Sequence, residues 1–115
     1  MNMEDIRTYC LSLPGTTEDV KWGNDLCFSI GGKMYCVAGL TGPVTVSFKV
    51  CKEDFDEVSR SDGFSPAPYV ARYSWVLLEK PEKVSRKELQ GYIKQSYTLI
   101  KERLSKKALK EYGLS

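Results

Sequence analysis

Seven residues of this chain bring Tyr69, Arg72, Tyr73 and Trp75 together. The rings offer faces on which bases or other planar groups stack, and the guanidinium is a rigid fork of donors suited to a phosphate or a guanine edge. Ahead of them, Gly63-Phe64-Ser65-Pro66-Ala67-Pro68 reads as a loop that two prolines hold open. Behind them, Val76-Leu77-Leu78 completes a β-strand. Such a segment can serve as core, as a ligand platform, or as both.

Four more side chains join the candidates. Lys21, Lys33 and Lys49 lie on or beside expected strands and could meet phosphates, and Trp22 could stack. Each also has a plainer role. Trp22 and Trp75 are ordinary core residues in most folds, and Tyr73 would follow Trp75 if it shares its face. The lysines would simply be solvated, and Arg72 would pair with Asp19 or Asp25.

Other chemistry is sparse. With no histidine, the chain lacks Ser-His and Cys-His nucleophile pairs and any imidazole base. Glu18-Asp19 are strand neighbours that point to opposite faces, and acidic first turns of helices such as Glu53-Asp54 answer the helix dipole. Gly31-Gly32 opens no helix, so it is not a phosphate loop. Cys10, Cys27, Cys36 and Cys51 show no CxxC spacing. The expectation is a non-enzymatic chain without cofactor or metal.

The elements that must position these residues follow from periodicity. Met3, Ile6, Cys10 and Leu13 form one stripe of a helix over 2–13, capped by Asn2 and stopped at Pro14-Gly15. Strands are expected at 18–22, 26–30, 33–38, 44–50 and 72–78, with a short helix over 52–59. Gly31-Gly32 reads as a two-residue hairpin turn. Its simplest register opposes Cys27 to Cys36 and Phe28 to Tyr35. It puts Leu26, Phe28, Ile30, Tyr35 and Val37 on the core face. A disulfide between Cys27 and Cys36 is then geometrically conceivable, but free thiols are expected in a reducing compartment. Ser85-Arg86-Lys87-Glu88 is a capping box that starts a helix over 85–104, and Ser105 can cap a last helix to Tyr112.

This order implies a single α+β domain over 1–115. It has one mostly antiparallel β-sheet with the N-terminal and long C-terminal helices packed on one face, its Leu26/Phe28/Val46/Phe48 face. The other face stays partly uncovered. The chain has 115 residues, 42% apolar and 28% charged, in the range of ordinary globular proteins. No apolar run is long enough to span a membrane, and the N-terminus lacks the pattern of a secretory signal, so a cytoplasmic monomer is expected. Net charge is +2, split as −3 over residues 1–78 and +5 over 79–115. A basic last third suits a polyanion, or is a solvated helix face.

Ordered motifs run through almost the whole chain. They are Leu13-Pro14-Gly15, Glu18-Asp19-Val20-Lys21-Trp22-Gly23, Gly32-Lys33-Met34, Ser47-Phe48-Lys49, Pro66-Ala67-Pro68-Tyr69-Val70-Ala71-Arg72, Trp75-Val76, Glu88-Leu89, Ser96-Tyr97 and Lys106-Lys107. In these the chain resembles the small bacterial MmcQ/YjbR-like proteins. The resemblance implies a fold similar to frataxin/CyaY and a DNA-binding protein whose double wings are β-hairpins. Some relatives carry lysine and histidine in the stretch just before the tryptophan. Here Arg72 keeps the charge and Ser74 precedes Trp75, so a role needing an imidazole does not carry over. Nor does frataxin-like iron binding, because the acidic ridge is reduced to Glu4, Asp5, Glu18 and Asp19 among basic residues.

Two functional expectations stand side by side. The first is weak, sequence-tolerant nucleic-acid (DNA) binding through the open face, hairpin tips and the 69–75 segment. The second is a protein- or small-ligand-binding module with the proline loop 64–69 as a groove wall. A continuous positive stripe on the open face would favour the first, and an apolar cleft beside Pro66-Ala67-Pro68 the second.

Overall fold

A computed structural model describes residues 1–114. Helix α1 (Met3–Ser12) leads into strands β1 (Thr16–Lys21), β2 (Asp25–Ile30), β3 (Lys33–Gly39) and β4 (Val46–Lys49). A 3₁₀ turn and the short helix α2 (Phe55–Ser59) follow, then β5 (Phe64–Pro66) and β6 (Trp75–Leu78). The chain ends with α3 (Arg86–Lys101) and α4 (Lys106–Glu111). The six strands form one antiparallel sheet in the order β1-β2-β3-β4-β6-β5, so β1 and β5 are its edges. The expected α+β architecture is present.

Capping residues set the helix starts. The Asn2 side chain accepts the Asp5 N–H at 2.8 Å, and Ser85 Oγ accepts that of Glu88 at 3.1 Å. In both helices the third residue reaches back to the cap's own N–H, so two orphan donors are satisfied at each start. Ser105 caps α4 through the Ala108 N–H.

Helices α1 and α3 cover one face of the sheet. Ile6, Cys10, Leu89 and Ile93 are buried there against Phe28, Ile30, Val46 and Phe48. Phe48 stacks on Tyr92 with ring centroids 5.2 Å apart, and Phe64 meets both rings edge-on. Arg7 of α1 forks onto Glu18 of β1 at 2.7 and 2.8 Å, while Arg86 ties the start of α3 to Asp5 at 3.2 Å. Tyr97 donates its hydroxyl to the Pro14 carbonyl at 2.5 Å, pinning α3 to the end of α1.

The β2–β3 hairpin departs from its expected register. Gly31 and Gly32, at φ 58° and 80°, form the anticipated turn, and Ile30 opposes Lys33 and Ser29 opposes Met34. Beyond Ser29 the register shifts: Phe28 opposes Cys36, Cys27 opposes Val37 and Leu26 opposes Ala38. Tyr35 is the extra residue of a β-bulge, and past it the faces of β3 exchange. Cys36 and Ala38 therefore join the helix-covered core, and Val37 turns to the open face. Tyr35 keeps its core place, donating its hydroxyl to the Cys10 carbonyl at 3.2 Å. The expected Cys27–Cys36 pair does not exist; the two thiols are free and on opposite faces.

β1 starts earlier than expected, at Thr16, β4 is shorter, at Val46–Lys49, and α3 stops at Lys101; three other differences bear on the site. Trp22 sits in the turn after β1 rather than at the end of the strand. The proline loop contains β5, which pairs with β6; Pro66, lacking an N–H, is accommodated because it lies on an edge. The last strand begins at Trp75, not Arg72, since Ala71–Tyr73 form a 3₁₀ turn and Ser74 is left-handed at φ 67°. Among the described residues no helix is long and apolar enough to cross a membrane.

Candidate functional site

The face of the sheet away from α1 and α3 is open. Strand alternation places Asp19 and Lys21 of β1, Asp25 and Cys27 of β2, Met34 and Val37 of β3, Ser47 and Lys49 of β4, and Trp75 and Leu77 of β6 on it. Across its middle runs a cleft of about 680 Å³. Met34, Val37, Trp75 and Leu77 form an apolar floor, with hydroxyls from Thr45 and Ser47. One wall is the Trp22 turn; the other is the loop Ala67-Pro68-Tyr69-Val70 that follows β5.

Loop and turn are held by the backbone. The Ala67 N–H donates to the Trp75 carbonyl at 3.1 Å, and the Leu40 N–H donates to the Asn24 carbonyl at 2.7 Å. Three non-glycine residues of the described chain have positive φ: Trp22 at 55°, Tyr69 at 68° and Ser74 at 67°. Trp22 and Tyr69 are the aromatic rims of the cleft, and Ser74 directly precedes its buried Trp75. Such conformations cost about 1–3 kcal/mol each and gather where function needs a side chain aimed against local preference. Both rim residues are open to solvent: Trp22 is 69% exposed and Tyr69 97%.

The eight sequence candidates separate into groups. Trp22, Tyr69 and Trp75 meet at the cleft. Lys21 lies beside it, opposite Asp25 on the neighbouring strand. Arg72 makes no ion pair with Asp19 or Asp25; its guanidinium rests 4.8 Å from the Tyr73 ring centre, and both side chains face solvent. Tyr73 does not follow Trp75 into the interior, because the left-handed Ser74 breaks the alternation between them. Lys33 sits at the Gly31-Gly32 tip, at the opposite end of the strands from Trp22. Lys49 is buried, and its ammonium donates to the Tyr73 carbonyl. Burial, then the charge of Arg103, pushes its pKa below the usual lysine value. It anchors the 71–74 turn from beneath.

Asp25, Val37 and Leu77 are site residues that sequence reasoning did not single out. Alternation around Trp75 was the available signal for Leu77; the bulge concealed Val37. Among the described residues lining the cleft, Asp25 alone carries a charge. Burial holds the nearby Cys27 thiol above its ordinary pKa, and no group of three or more Cys, Asp or Glu side chains comes together to hold a metal ion among the described residues.

A sheet clad in helices on one side and hollowed into an apolar cleft on the other defines a small α+β protein. The chain belongs to the YjbR family, whose model matches residues 11–99. It is similar to protein DR2400 of Deinococcus radiodurans, described as a DUF419 domain, at 25% identity and a TM-score of 0.86, over 99% of this chain and 89% of that one. A protein from Pseudomonas syringae shares the fold at 20% identity and a TM-score of 0.71, over 87% of this chain and 99% of that one. No curated protein matches the chain.

Proposed function

We propose that this chain is a non-enzymatic binding module that takes a small, largely apolar ligand into the cleft between the Trp22 turn and the proline loop. The observation that carries this reading is the cleft itself: about 680 Å³, apolar-floored, with the proline loop as its wall. Small-molecule sites commonly fall at about 300–1,000 Å³ with a few polar groups set in an apolar lining. Titration with a neutral apolar fluorophore, N-phenyl-1-naphthylamine, is the test. Saturable one-site binding that Trp22→Ala weakens is expected; emission that rises without saturating overturns the reading.

Nucleic-acid binding is the second reading, favoured by one specific observation: Trp22, Tyr69 and Tyr73 are exposed aromatic residues, and the solvent-facing Arg72 guanidinium rests against the Tyr73 ring. Its cations are few and dispersed, since Lys49 is engaged internally and Lys33 is remote. Two or three phosphate contacts give a slope of log affinity against log salt of roughly −2 to −3 for duplex DNA. A low-salt titration showing tight duplex or single-strand binding, weakened by Arg72→Ala, would favour this reading over the first.

A further inference from the structure

Apart from the Thr45 and Ser47 hydroxyls, the cleft is apolar and aromatic except where Asp25 stands. This carboxylate begins β2, immediately after the Trp22-Gly23-Asn24 turn, and is half-buried. It takes part in no ion pair within 4.0 Å and no side-chain hydrogen bond among the described residues, although Lys21 is its cross-strand neighbour. A carboxylate at the edge of an apolar cleft has lost part of its water and gained no partner, so a cation brought there restores what was lost. Three aromatic residues, Trp22, Tyr69 and Trp75, line the same space. Indole and phenol faces carry negative quadrupole density and attract cations. The carboxylate and the rings favour the same sign of charge.

The rings also specify shape. Trp22 and Tyr69 belong to opposite walls, and each is held at a backbone angle its side chain disfavours. A flat ring system between the walls would meet both, while the apolar floor of Val37 and Leu77 covers its edge. A phosphate or carboxylate ligand meets the opposite situation, because the lining carries no cation to receive it.

Resting on the reading of the cleft as a small-ligand site, we propose that its ligand class is a planar aromatic molecule bearing a positive charge, with the cationic end directed at Asp25 and Trp22. The preference comes from charge complementarity at the Asp25 end, and the retention of the ring system from the apolar floor.

Three fused-ring probes of nearly equal size test this on the full chain: N-methylacridinium, acridine held neutral at mildly alkaline pH, and acridine-9-carboxylate. Binding is followed by probe fluorescence at low ionic strength in the wild type and in Asp25→Asn, Asp19→Asn and Trp22→Ala. The cation is expected to bind about ten-fold tighter than neutral acridine, and the anion weakest of the three. Asp25→Asn should bring cation and neutral probe to within about two-fold of each other. Asp19→Asn, exposed on the same face outside the cleft, should leave the ratio intact. Equal affinities in the wild type, or a ratio indifferent to Asp25→Asn, overturn the cation preference. In that case acridine binding that Trp22→Ala still weakens keeps the cleft reading. Absence of saturable binding by all three probes overturns this inference, and removes the cleft reading as well when N-phenyl-1-naphthylamine also fails to saturate.

Discussion

The hydroxyl of Ser96 donates to the carbonyl of Tyr35 across 2.5 Å, and Ser96 Oγ itself accepts the N–H of Lys49 at 2.9 Å. The β3–β4 ladder pairs Ala38 with Val46 and Cys36 with Phe48. One step further, Tyr35 and Lys49 would meet; instead a side chain of α3 is inserted between their backbones. Ser96→Ala should therefore leave a buried carbonyl and a buried N–H without partners. Each such group costs about 1–3 kcal/mol. The expected loss is about 2–6 kcal/mol in urea unfolding, with faster exchange of the Lys49 amide as the local signature.

Gly31 has two independent reasons to be glycine. Its φ of 58° disfavours a side chain, and an added Cβ would lie 2.6 Å from a methyl of Leu104. Gly31→Ala should destabilise the protein by about 1–3 kcal/mol through strain and overpacking. Gly31→Ala combined with Leu104→Ala should cost less than the sum of the two single changes, because the clash is shared.

The Arg7–Glu18 fork is pH-dependent in a defined direction. Its hydrogen bonds to Arg7 hold the Glu18 carboxyl below its ordinary value of 4.5. A carboxyl depressed on folding contributes stability that is present above its unfolded pKa and lost as pH falls through the folded one. Wild type should therefore exceed Glu18→Gln in stability near neutrality, and the gap should close as pH falls below about 4. Paired denaturant titrations at several pH values measure it; a constant gap would contradict the assignment.

Tyr69 tests the link between strain and binding. Its φ of 68° favours asparagine, and its side chain is 97% exposed, so it gives up little burial when replaced. Tyr69→Asn should leave stability unchanged or raise it by about 1 kcal/mol. The same change should weaken ligand binding at the cleft. A variant that is destabilised, or that binds as well as wild type, would show that the ring is held for another purpose.

Much of the architecture was legible because its signals are local. Asn2 and Ser85 mark helix starts through their own side chains, Gly31-Gly32 marks a turn, and alternation along 44–50 separates Val46 and Phe48 from Ser47 and Lys49. The register of β3 was not legible, because the bulge at Tyr35 is bound to a serine 61 positions away. That single shift misassigned Cys36 and Val37 and created a cysteine pair that does not form. β5 was hidden for a different reason: Pro66 reads as loop unless the strand is known to be an edge. Aromatic residues of the site stood out by type, whereas Asp25 stood out only once the lining around it proved uncharged.

The two borders of the sheet bear on self-association. A free border is a row of unpaired donors and acceptors onto which another extended chain can be added. β5 presents three residues, and Pro66 has no N–H to give. β1 is twice as long, but Glu18, Asp19 and Lys21 occupy half of it, and Glu18 is already held by Arg7. A strand laid against β1 would have to strip water from those charges, and one laid against β5 would find too short a ladder. Growth of the sheet into a continuous ribbon of copies is discouraged at both ends, so crowding should leave the aromatic rims of Trp22 and Tyr69 open to solvent.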